Sequence, residues 1–132
     1  GLWKEWYENG KLLSENNYEK GNEYGLHKWW YENGKLKKES NFKKGVFRQW
    51  YRDGKLKREN YYHSKRKGEI ERKWYANGQL KYEAKSKKKK QDGKIQEWYK
   101  NGQLKYEFKG KDGKWMTKKC WDEDGNKIDC PE

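Results

Sequence analysis

Five carboxylates recur at one position of a repeating pattern: Glu15, Glu39, Glu59, Glu83 and Glu107, each three residues after a Leu. Paired carboxylates can divide general-acid and general-base work, provided that one of them is placed unlike the other. A row of five equivalent acids lacks that asymmetry. It reads better as a structural ladder that meets neighbouring Lys, Arg or backbone amides. The chain has only two histidines, His27 and His63. His27 takes the position that Trp3, Phe47, Ile95 and Trp115 fill elsewhere, which makes it structural, and His63 lies in a link with no sequence-evident partner. No Ser nucleophile pattern, phosphate-cradling Gly-rich loop or zinc-ligand spacing is present. The expectation is a protein that is not an enzyme, with no catalytic residues, no metal ligands and no cofactor.

Cys120 and Cys130 lie five residues either side of Gly125. In a hairpin turning at that glycine they would face each other closely enough for a disulfide, which requires Cβ atoms about 3.8 Å apart. The alternative is two free thiols in a reducing compartment. The disulfide is favoured, and with it a periplasmic, cell-surface or secreted location; a cytoplasmic one stays open. The chain begins on Gly1, as expected of a processed or trimmed chain ahead of which further repeats can lie.

The elements that carry these residues are set by an internal repeat. Trp-Tyr occurs at Trp6-Tyr7, Trp30-Tyr31, Trp50-Tyr51, Trp74-Tyr75 and Trp98-Tyr99, with a degenerate copy at Trp121-Asp122. Four residues after each Trp comes a Gly, at Gly10, Gly34, Gly54, Gly78, Gly102 and Gly125, always preceded by Asn or Asp. Leu12, Leu36, Leu56, Leu80 and Leu104 follow two residues later. Asn-Gly and Asp-Gly suit the positive φ of a type I′ hairpin turn. Alternation puts Leu36, Lys38, Ser40 and Phe42 on one face and Lys35, Lys37, Glu39 and Asn41 on the other. Each unit is therefore a β-hairpin. The units run 1–24, 25–44, 45–67, 68–92, 93–112 and 113–132, and the last is atypical, as a capping repeat should be. The fold expected is all-β: an elongated, largely single-layer antiparallel meander of about six stacked hairpins. Trp6, Trp30, Trp50, Trp74 and Trp98, with the turn glycines Gly10, Gly34, Gly54, Gly78 and Gly102, are its structural positions.

Composition agrees with an unusual core. Leu, Ile, Val and Phe number only 15, against 9 Trp and 11 Tyr. Low aliphatic content with a net charge of +13 would normally mean disorder, but disordered chains lack aromatics, and each Trp or Tyr can bury about 150–250 Å². No run of about 20 apolar residues exists, which excludes a transmembrane helix.

The pattern Gly-x-x-x-x-Trp-Tyr-x-Asn-Gly-x-Leu-x-x-Glu, present as Gly25 to Glu39, Gly45 to Glu59 and Gly93 to Glu107, resembles the bacterial MORN-repeat variant. Gly1 to Glu15 also fits, and Gly68 to Glu83 fits with one inserted residue. That resemblance implies arrays of β-hairpins associated with membrane lipids and protein assembly. For the bacterial variants it implies antitoxin or immunity proteins, or envelope and secreted proteins. It supplies no catalytic residues.

The charge is confined. Residues 1–40 and 91–132 each balance to zero, while residues 41–90 hold 18 basic and 5 acidic side chains. Arg48, Arg52, Lys65, Arg66, Lys67, Lys87, Lys88, Lys89 and Lys90 are the candidate anion- or partner-binding residues. The competing reading of this excess is a solvated face that blunts sheet edges. Trp29, Tyr31, Phe47 and Tyr51 are candidate aromatic contacts, of the kind interfaces enrich, against a purely structural second stripe. A protein partner is the first expectation. Anionic lipid or polysaccharide, held by a basic ridge of the central repeats, is the second. Nucleic acid is disfavoured, because the phased aromatics are needed by the sheet.

Overall fold

The structure, a computed structural model, describes residues 1–18, 25–63, 68–86 and 93–131. It is all-β, and among the described residues twelve strands pair in chain order as one antiparallel meander. Five hairpins are β1 (Leu2–Trp6) with β2 (Leu12–Asn17), β3 (Leu26–Trp30) with β4 (Leu36–Asn41), β5 (Val46–Trp50) with β6 (Leu56–His63), β7 (Gly68–Trp74) with β8 (Leu80–Ser86), and β9 (Gly93–Trp98) with β10 (Leu104–Lys111). The sixth is β11 (Lys114–Trp121) with the two-residue β12 (Lys127–Ile128). The chain divides into two compact units, Gly1–Asn60 and Tyr61–Glu132, described separately below.

The repeat marks the strand ends. Every odd-numbered strand closes on a repeat Trp, and β2, β4, β6, β8 and β10 open on the repeat Leu. The two meet across the hairpin: Trp6 faces Leu12, Trp30 faces Leu36, Trp74 faces Leu80 and Trp98 faces Leu104.

The turn between them is not the type I′ turn expected from Asn-Gly. The Gly10 amide donates to Tyr7 O at 3.0 Å and the Tyr7 amide to Lys11 O at 2.8 Å. Gly10 lies at φ 86°, and its counterparts Gly34, Gly54, Gly78, Gly102 and Gly125 at 88° to 96°. Among the described residues the only non-glycine with positive φ is Asp112, so none of the turn Asn or Asp residues has it. The loop is a tight turn over Tyr-x-Asn-Gly followed by a left-handed glycine, the three-residue hairpin loop. Asn9 instead turns its Oδ1 onto the Lys11 amide at 2.9 Å, and Asn33, Asp53, Asn77 and Asn101 do the same. This local bond explains Asn or Asp before the glycine without any positive φ. The two-residue geometry appears elsewhere. Asp112 and Gly113, at φ 54° and 82°, join β10 to β11 across the pair Lys111–Lys114.

A second correction follows from register. Trp29 faces Lys38 but Trp30 faces Leu36, so Lys37 is an extra residue in β4. Equivalent slips occur in the first, fourth and fifth hairpins. One extra residue reverses which face the following side chains take. Leu36 therefore shares the face of Trp30 and Glu39, not that of Lys38, Ser40 and Phe42.

Full burial is scarce. Among the described residues Ser14, His27, Ser40, Glu59, Asn60, Gly68 and Cys120 are buried. Trp30, Trp50, Trp74 and Trp98 are half-buried, and Trp6 is 59% exposed.

Candidate functional site

One face of the sheet is a charge ladder built on the recurring glutamates. In the first unit the cross-strand row reads Lys4, Glu15, Lys28, Glu39, Arg48. Arg48 Nε donates to Glu59 at 3.0 Å and its guanidinium lies 4.0 Å from Glu39. In the second unit the row is Arg72, Glu83, Gln96, Glu107, Lys119. Arg72 Nε donates to Glu83 at 2.8 Å, and Gln96 Nε2 to Glu107 at 2.7 Å. Burial pushes the Glu83 carboxyl up, but the Arg72 hydrogen bond and the Lys85 and Arg72 charges outweigh it and hold the group below its ordinary value. Glu107 is likewise lowered against burial, by Gln96, Lys94 and Lys109. The expected ladder of glutamates with neighbouring cations is what the register makes.

Within each unit the turn edge is a second ladder, joining one hairpin to the next. Tyr7 donates its hydroxyl to Trp30 O, Tyr31 to Trp50 O, Tyr75 to Trp98 O and Tyr99 to Trp121 O, at 2.5 to 2.9 Å. Asn9, Asn33, Asn77 and Asn101 donate Nδ2 to the carbonyls of Glu32, Arg52, Lys100 and Glu123, at 3.0 to 3.3 Å. Thus Tyr and Asn of one Tyr-x-Asn-Gly turn hold the Trp and the third residue of the next Trp-Tyr-x segment. Sequence reasoning missed these bonds. Their signal was the constant spacing from Trp-Tyr to Asn-Gly, whose bonding meaning appears only once hairpins are in register.

The opposite face carries the off-phase aromatics. In the first unit His27 sits at the centre of a cluster. Tyr18 and Phe42 meet it edge-on at 5.2 Å, Trp29 stacks at 6.0 Å, and Phe47 meets Phe42 at 5.5 Å. His27 Nδ1 is bonded to Asn16 Oδ1 at 2.9 Å. Lys38 Nζ lies 5.0 Å over the Trp29 ring. In the second unit Tyr106 and Phe108 are 4.8 Å apart and Trp115 lies 5.8 Å from Phe108. Glu97 faces both Tyr82 and Tyr106 across the strands. Burial, reinforced by Glu97, pushes the Tyr106 phenol up to about 12 and also raises Tyr82.

The candidate residues sort as follows. Trp29 and Phe47 belong to the aromatic face. Tyr31 is a stitching residue, its ring flanked by Lys37 and Arg52, each 5.6 Å from its centre. Lys57 Nζ lies 5.5 Å from the Tyr51 ring. Arg48 is engaged in the charge ladder, and Arg52 over Tyr31. Lys65, Arg66, Lys67, Lys87, Lys88, Lys89 and Lys90 lie outside the described residues. Cys120 and Cys130 form a disulfide with Cα atoms 5.2 Å apart, although Cys120 is opposite Ile128 in the ladder. Among the described residues no group of three or more His, Cys, Asp or Glu is placed to hold a metal, and no helix is long and apolar enough to cross a membrane.

Hairpins of one design, bonded turn to turn, define a β-hairpin repeat protein. The chain matches the MORN repeat variant at residues 1–20, 23–44, 43–64, 70–88 and 91–114, most of its length, and it belongs to that family. No curated protein matches it.

Proposed function

We propose that this chain is a non-catalytic repeat scaffold that binds a protein partner through its aromatic face, as a toxin-neutralising or an envelope or secreted interaction protein of a bacterium. The observation that carries the reading is a division of labour between surfaces. The repeat-phased Glu, Tyr and Asn are engaged in ladders that hold hairpins together. Trp29, Phe42 and Phe47 lie on a sheet face that no second layer covers among the described residues, and such aromatics are the anchors that interfaces use. The resolved shifts move away from neutrality: glutamates down, tyrosines up. That is the reverse of the tuning a general acid or base needs. The disulfide supports a periplasmic, cell-surface or secreted setting.

Affinity capture from the native source tests this. Wild-type protein should retain a protein partner at raised salt, and Trp29→Ala should lose it while keeping its β-sheet circular dichroism. The second reading is attachment to anionic membrane or polysaccharide, and it rests on the 18 basic side chains of residues 41–90. It predicts binding to anionic vesicles that collapses with added salt and on reversing Lys87 to Lys90. Capture of anionic lipid alone, lost on both changes, would replace the first reading by the second.

A further inference from the structure

Four of the turns are built on Asn-Gly: Asn9-Gly10, Asn33-Gly34, Asn77-Gly78 and Asn101-Gly102. This dipeptide has a reactivity of its own. The glycine backbone nitrogen, unhindered because Gly has no Cβ, can attack Cγ of the preceding asparagine side chain. A Cγ–N bond forms and the Cγ–Nδ2 bond breaks. The proton of the attacking nitrogen leaves with the side-chain nitrogen as ammonia, and a cyclic imide remains. Water then opens the imide at one carbonyl or the other, giving Asp or isoaspartate, in which the chain runs through the side-chain carbon. All four Asn residues are exposed, so water reaches them.

In the folded turn each group that this reaction needs is committed elsewhere. The attacking amide donates to the turn Tyr carbonyl: Gly10 to Tyr7 O, Gly34 to Tyr31 O, Gly78 to Tyr75 O and Gly102 to Tyr99 O, at 2.9 to 3.0 Å. Asn Oδ1 is fixed on the amide two residues later, at 2.9 Å in all four turns. The leaving nitrogen, Nδ2, donates to a carbonyl of the following hairpin. The first two bonds belong to the turn itself. The third exists only while the following hairpin is docked. Asp53 shows the same turn with a carboxylate in place of the amide. Its Oδ1 accepts from the Lys55 amide at 2.9 Å, and Gly54 donates to Tyr51 O at 2.9 Å, but an ionised carboxylate donates no hydrogen bond. A turn with Asp therefore keeps its own shape and has no amide to give.

We propose that Asn9, Asn33, Asn77 and Asn101 are deamidation sites guarded by the following hairpin: the reaction is held off while the hairpins are docked and proceeds once they part. Conversion to Asp leaves a turn like that of Asp53, closed but without its amide donor. Isoaspartate adds a backbone carbon to the three-residue loop and draws the Gly amide away from the Tyr carbonyl. Loss of ammonia makes both products irreversible in water. Each opening that is caught in this way removes a bond that held the two hairpins together, so loosening at one turn makes the next opening there easier. The turn edge thus carries a chemical record of its own openings. This inference stands apart from the aromatic-face partner proposed above, because the edge and the residues differ.

The test incubates the full chain at mildly alkaline pH, folded or unfolded in guanidinium chloride. Each Asn-Gly peptide is then read by mass spectrometry, with Asp and isoaspartate separated by chromatography. In the folded chain all four asparagines should convert at least about tenfold more slowly than in denaturant, as expected of sites that react only on local opening. Tyr75→Phe removes the hydroxyl bonded to Trp98 O beside the Asn77 bond. It should speed Asn77 about fivefold, the share of one hydrogen bond, and leave Asn33 unchanged. Tyr31→Phe should speed Asn33 and leave Asn77 unchanged. Equal rates in folded and unfolded chain overturn the inference. So does a variant that keeps its β-sheet circular dichroism and speeds both asparagines alike or neither. For a variant that loses that signal, the wild-type comparison decides alone.

Discussion

The first and second hairpins follow one sequence pattern and end in different environments. Trp6 and Trp30 occupy the same repeat position, close the same kind of turn and face the same Leu across it. Yet Trp30 is half-buried, while Trp6 is 59% exposed. The difference is the neighbour. Trp30 has the β1–β2 hairpin on its outer side, with Tyr7 bonded to its carbonyl, and Trp6 has no described hairpin there. Burial in this fold is supplied by the adjacent repeat and not by residue type, so identical side chains should differ in energetic weight according to position.

The comparison can be broken by matched substitutions, each read as a shift in chemical denaturation. The largest gap is expected between Trp30→Ala, at about 2 kcal/mol, and Trp6→Ala, below about 1 kcal/mol; equal losses would mean that hairpins do not bury one another. Next comes the charge row. Arg48→Ala removes the guanidinium bonded to the buried Glu59 and should cost about 1.5 kcal/mol, after discounting for the partly exposed guanidinium. Lys4→Ala at the outer end should cost no more than about 0.5 kcal/mol. A smaller loss, about 1 kcal/mol, is expected for Tyr31→Phe, which removes the hydroxyl bonded to Trp50 O.

The smallest effects are those of pH, in the second unit. The Glu83 and Glu107 carboxyls lie lower in the folded chain than the ordinary 4.5. Their stabilisation is therefore complete above that value and is lost as pH falls through the folded pKa. Glu83→Gln should flatten this acid limb by less than about 1 kcal/mol, since the pair is partly exposed. Tyr106, raised from 10.0 to about 12, has the opposite sign. Its neutral form is favoured by folding, so stability is full below pH 10 and declines from there to pH 12. Absorbance at the phenolate band should show late-titrating tyrosines, Tyr75 and Tyr82 among them, fewer by one in Tyr106→Phe.

Much of this architecture was legible in the residues because it is local. Trp-Tyr before Asn-Gly, with Leu after it, marks where each strand stops and starts. The even recurrence of Glu shows that it is structural. What was not legible depends on register. Asn-Gly pointed to a type I′ turn, but Asn9 holds its own loop through the Lys11 amide and leaves positive φ to Gly10. The extra residue at Lys37 reverses the faces that strict alternation assigned. Tyr31 stood out as a contact residue, whereas its hydroxyl reaches a carbonyl 19 residues away. Arg48 stood out as a cation for a ligand, whereas Glu39 and Glu59 flank it. Of the aromatic candidates, Trp29 and Phe47 lie in the aromatic cluster with His27 and Phe42.

The central claim, that each hairpin is buried by its neighbour, is tested most directly by oxidative footprinting of the chain alone, with all nine tryptophans read by mass spectrometry. Trp3 and Trp6 should be modified fastest and Trp115, 47% exposed, next, with Trp30, Trp50, Trp74 and Trp98 protected together. Modification of Trp30 and Trp50 as fast as that of Trp6 would contradict the account.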